Sequence, residues 1–97
     1  MIDPEKFKTA CREGHVLAVK QMLEQGASPN GSITSDGELT PLMEACKGGH
    51  VEIVRLLLSK KNINVHCGTR GGATALTFAI KKGNKAIIKL LKAAGAK

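Results

Sequence analysis

Three stretches of this 97-residue chain superimpose on one another: residues 9–23, 44–58 and 78–92, at offsets of 35 and 34. In each, a short stretch with helical spacing ends at a glycine, and a second, more apolar stretch follows almost at once. A repeat of this period means like units stacked in a row, because one such unit cannot bury its apolar face alone. The length leaves room for one small domain, residues 1–97, with units at approximately 3–36, 37–70 and 71–97.

The middle unit shows the local logic. Thr40-Pro41 predicts a helix start, the hydroxyl capping free N–H groups and the proline taking the first helical position. Leu42 and Ala45, three apart, share one face. Gly49 is expected to stop the helix in a left-handed C-cap. A second helix, roughly residues 51–59, carries Val51, Val54, Leu57 and Leu58 as an apolar stripe, widened by Ile53 and Leu56, with Glu52 and Arg55 outside it. The third unit repeats this plan from Thr74-Ala75-Leu76, then Ala86, Ile87, Leu90 and Leu91. Ala10/Cys11 and Ala45/Cys46 are small, which lets paired helices approach closely.

Thr40-Pro41-Leu42-Met43-Glu44-Ala45-Cys46-Lys47-Gly48-Gly49-His50-Val51-Glu52-Ile53-Val54-Arg55-Leu56-Leu57-Leu58 resembles the ankyrin-repeat consensus position by position. The resemblance covers essentially the whole chain as three units and implies an all-α solenoid of helix-turn-helix units with projecting loops. It also implies a protein–protein interaction module whose partners use the concave groove and the loops between units. Met43 and Thr77 depart from the family pattern, which has His there, so the imidazole hydrogen bonds of that position are missing. Glu5-Lys6-Phe7 opens the first unit as an N-terminal cap. The loop over residues 30–40 is two residues longer than that over 66–74, and one residue is inserted near Lys60-Lys61-Asn62.

Charge divides the chain sharply. Residues 1–52 hold all eight acids and five bases, and residues 53–97 hold ten bases and no acid. The net charges are −3 and +10, so the two ends differ electrostatically. Phe7 and Phe78 are the only aromatics, which argues against single-stranded nucleic-acid binding by base stacking. No apolar run is long enough to span a membrane. The N-terminus does not read as a secretory signal, and three widely spaced Cys make no disulfide framework, so an intracellular setting, cytoplasmic or nuclear, is expected.

Chemistry-bearing residues are few. His15 and His50 occupy equivalent turns one repeat apart, and no C-x-x-C or H-x-x-x-H pair supports a metal site. Cys11 and Cys46 share a small-residue slot and read as buried alanine substitutes, too far apart for a disulfide. Cys67 is expected to be exposed and has no acidic orienter. Gly68, Gly71 and Gly72 suit a tight turn and lack the order of a phosphate loop. No cofactor and no catalysis are expected.

In a stacked array, equivalent positions align in columns. Arg12, Lys47 and Lys81 form one, with Lys82 beside it, and the resemblance sets it at the concave groove. Lys20, Arg55 and Lys89 form a second on the convex side. Arg70 and Ile33 stand in the two inter-unit loops. Phe78 aligns with Glu44, a position that reads as too polar for deep core, and serves either as a contact or as cover for the open end of the last unit. The partner-binding set is therefore Arg12, Lys47, Lys81, Lys82, Arg70, Phe78, Ile33 and Glu44. The expected partner is a protein with an acidic surface. The alternative is a basic accessory subunit docked on a ribonucleoprotein or other polyanion through residues 53–97. Ile80, Ile87, Ile88, Leu90 and Leu91 exceed what one helix pair is expected to bury, which suggests that this end is covered by further repeats, by a partner or by a second copy in head-to-tail self-association.

Overall fold

Helix starts and stops follow the local chemistry of the sequence. The computed structural model describes residues 3–30 and 39–96. Its helices are α1 (Pro4–Glu13), α2 (Val16–Glu24), α3 (Pro41–Gly48), α4 (Val51–Leu58), α5 (Ala75–Lys82) and α6 (Lys85–Ala93), with no strand among the described residues. The backbone N–H of Met43 donates to Thr40 Oγ1 at 3.2 Å, and Pro41 sits at the first helical position. Gly49 closes α3 at φ 74°, a left-handed conformation, with its N–H returned to the Ala45 and Cys46 carbonyls. In α5 the missing imidazole is replaced by a reciprocal cap. The Thr77 amide donates to Thr74 Oγ1, and the Thr74 amide donates to Thr77 Oγ1. Met43, at the equivalent place in α3, is instead buried in the core.

The helices pack in two layers. α3 lies between α1 and α5, and α4 lies between α2 and α6. Within each pair the helices pack on one another, as α1 on α2, α3 on α4 and α5 on α6. The core runs through the stack as Phe7, Leu42, Met43, Ile53, Leu57, Ile87 and Leu91, all fully buried. Each such side chain contributes about 1.5–3 kcal/mol relative to exposure. Central position explains why residues 41–46 of α3 are all buried, Pro41 and Glu44 included.

Two ties between units lie outside this apolar seam. The Asn30 side-chain amide donates to the Asn62 carbonyl at 2.6 Å, and its Oδ1 accepts from the Asn64 amide at 2.7 Å. The His50 Nε2–H donates to the carbonyl of Arg12 at 2.8 Å.

Three expectations need correcting. Glu44 is not a surface residue: it is 4% exposed, because α1 and α5 cover α3 on both sides. Cys67 is partly buried and packs against the core, so it is less open than its loop suggests. The last unit buries more than expected, with Ile87 and Leu91 enclosed and Ile88 and Leu90 partly covered, while Ile80 stays 57% exposed.

Candidate functional site

Arg12, Lys47 and Lys81 are each the penultimate residue of a first helix, and α1, α3 and α5 lie side by side. All three are exposed. A cation in the last turn complements the partial negative charge of the helix C-terminus, so the register that builds the stack also stabilises this row. Lys82 is exposed beside it, and Arg70 is exposed in the turn between α4 and α5. That turn is tight, as its glycines predict. Gly72 has φ 85°, its N–H donates to the Thr69 carbonyl, and the Thr69 amide donates to the Ala73 carbonyl.

Arg12 differs from the two lysines because it is held. Its Nη1 lies 3.4 Å from Glu44 Oε2, joining the first unit to the second. The guanidinium is half exposed, and the carboxylate beneath it is nearly enclosed. The arrangement presents a planar cation held at one end of the row and exposed ammonium groups along the rest. Glu44 therefore positions Arg12 and is not itself a surface contact. Phe78 stands at the register position of Glu44 and so on the side of α5 facing α3, half-buried against the core. That places it beside the row and away from the open end. Ile33 lies outside the described residues.

The turns carry features that spacing alone did not suggest. The His50 ring lies over two glycines: a Cβ built at Gly14 would come within 2.6 Å of His50 Cε1, and one at Gly48 within 2.6 Å of Nε2. In the third unit a lysine leans the same way. A Cβ at Gly49 would lie 3.2 Å from Lys82 Cε. His15, at the turn equivalent to that of His50, instead meets its neighbour Glu13 at 3.2 Å. Among the described residues no three His, Cys, Asp or Glu side chains are grouped to hold a metal ion. Burial pushes the Cys46 thiol up to about 12 from the ordinary 9.0. Burial does the same to Cys11, with the nearby Glu44 carboxylate adding to it. Neither thiol is available as a thiolate near neutral pH. No described helix is long and apolar enough to cross a membrane.

The family model for ankyrin repeats matches residues 7–97 as three copies. The chain is 39% identical over 83 residues to the ankyrin repeat and KH domain-containing protein mask-1 of Caenorhabditis elegans. It is 41% identical over 88 residues to the human ankyrin repeat and KH domain-containing protein 1. These alignments cover 86% and 90% of this chain but 3% of each relative. Among solved structures, the human ASB11 ankyrin repeat domain matches with a TM-score of 0.84 at 35% identity. A chain of the Bdellovibrio bacteriovorus complex between the predatory endopeptidase Bd0816 and immunity protein Bd3460 matches at 0.82 and 33%. Each covers 94% of this chain, which in turn spans 40% and 46% of theirs.

Proposed function

The chain belongs to the ankyrin-repeat family, and from that premise we propose that it is a non-catalytic, intracellular adaptor module that binds an acidic protein surface. One observation carries the reading: the exposed row of Arg12, Lys47 and Lys81 crosses all three units on adjoining helix ends, with Lys82, Arg70 and Phe78 beside it. Arg12 is fixed by Glu44 for bidentate contact with a partner carboxylate, while Lys47 and Lys81 supply point charges. A half-buried Phe next to cations gives the apolar contact that a charged row alone lacks. The similar solved chain from an endopeptidase–immunity protein complex accords with a protein partner.

The experiment compares the wild-type chain with the Lys47→Glu/Lys81→Glu variant as baits at physiological salt. Both lysines are exposed, so the variant stays folded, with a melting temperature lowered modestly because each reversal loses a helix-end interaction of about 0.3–1 kcal/mol. A protein retained by the wild type and lost by the variant supports the row. Identical retention moves the site elsewhere.

A second reading rests on the ten bases without an acid in residues 53–97, which suit a polyanion such as a ribonucleoprotein. Titration with duplex RNA at about 50 and about 200 mM salt separates the two, because phosphate binding falls steeply over that range. Salt-resistant binding to one protein favours the adaptor.

A further inference from the structure

The two ends of the stack are built differently. Where α3 buries Pro41 and Met43, the first unit has Lys6 and Lys8, so that end presents polar chains. The opposite end shows the reverse. Cys46 and Val54 are fully buried in the middle unit, as are Cys11 and Val19 at the same positions of the first. Their equivalents are Ile80, 57% exposed, and Ile88, half-buried. Both are larger than the residues they replace, at positions with no covering unit among the described residues. A polar end costs nothing to expose, whereas two isoleucines at an end leave apolar area in water.

The rim of this patch says what would cover it. On α6, Lys85, Ile88 and Lys92 fall at i, i+3 and i+7, so the isoleucine has an exposed lysine one turn away on either side. No carboxylate pairs with any of these lysines among the described residues, and residues 53–97 contain none to do so. We propose that the outer face of α5 and α6, Ile80 and Ile88 rimmed by Lys85 and Lys92, docks an acidic amphipathic helix of a partner protein. Its short apolar stripe covers the two isoleucines, and its flanking Asp or Glu residues meet the lysines. This surface is separate from the row led by Arg12. Nucleic acid would satisfy the rim but leave the isoleucines exposed.

The test titrates the isotopically labelled full chain with two synthetic helical peptides that share one leucine stripe, one flanked by Glu and the other by Lys. The acidic peptide should shift the Ile80 and Ile88 methyl signals and bind, and the basic one should do neither. Ile80→Ser and Lys92→Glu, both at exposed positions, should each weaken binding about tenfold, and Lys47→Glu should not. Isoleucine methyls that stay still while Arg12 and Lys47 respond would overturn the proposal and leave the groove reading standing. Concentration-dependent dimerisation abolished by Ile80→Ser would overturn it in favour of a second copy. Displacement of the peptide by duplex RNA, with Ile80→Ser binding as well as wild type, would reduce the face to a site for any polyanion.

Discussion

The guanidinium of Arg12 lies 3.4 Å from the buried carboxylate of Glu44, and the Arg12 carbonyl accepts a hydrogen bond from the His50 ring at 2.8 Å. One residue of the first unit thus grips the second by both its side chain and its backbone. Its exposed half remains free to meet a partner.

Removing that grip should cost stability as well as binding. Arg12→Ala leaves the Glu44 carboxylate nearly enclosed with its cation gone. The expected loss is about 1–2 kcal/mol in urea unfolding, reduced from the fully buried case because Arg12 is half exposed. Glu44→Gln keeps a neutral polar group in place and should recover most of it in the Arg12→Ala background. Additive losses in that double variant would mean the pair is not coupled.

Gly14 and Gly83 both end first helices in the left-handed conformation, at φ 82° and 75°, yet their surroundings differ. A Cβ at Gly83 meets nothing within 4 Å, whereas one at Gly14 collides with the His50 ring. Gly83→Ala should therefore lose only the conformational cost, about 1–2 kcal/mol. Gly14→Ala should lose more, and His50→Ala should relieve that excess. Equal melting temperatures for the two glycine variants would remove the His50 ring from the account.

Asn30 reaches across to the next unit with two hydrogen bonds, to the Asn62 carbonyl and from the Asn64 amide. Both are solvent-accessible, so water replaces them in Asn30→Ala, and the loss should be about 1 kcal/mol. The clearer signature is local. The Asn64 amide should exchange with solvent markedly faster, while α3 and α5 keep their protection. Unchanged exchange at Asn64 would show that the tie contributes nothing.

Features set by near neighbours were legible in the sequence. The Gly49 cap, the Thr40-Pro41 start and the buried slots of Cys11 and Cys46 follow from residues within one unit and from the repeat itself. Pairings across units were not. Glu44 aligned with Phe78 and read as surface, because its burial depends on α1 and α5, and its cation stands 32 residues earlier. The repeat places His50 in a turn, and nothing in its spacing points to a role there. Its work on Gly14 and the Arg12 carbonyl shows only when the units are stacked. The cationic row could be placed because register alone determines it.

The two buried thiols make stability depend on alkaline pH. Cys11 and Cys46 have pKa values pushed up to about 12 in the folded chain, against 9.0 when unfolded. Between those values the unfolded state gives up protons that the folded state keeps, so stability falls as pH rises. It should be level in this respect below pH 9 and then decline by up to about 1.4 kcal/mol per pH unit for each thiol. Lysine deprotonation overlaps this range, so the comparison is with Cys11→Ala/Cys46→Ala, which fits the same small slots and has no thiol to titrate. The difference between the two unfolding curves should be constant to pH 9 and narrow in the variant's favour above it. The same burial predicts that a thiol reagent at pH 8 modifies Cys67 in the folded chain and reaches Cys11 and Cys46 only on unfolding. Rapid modification of all three under native conditions would show that the stack opens far more readily than its packing allows.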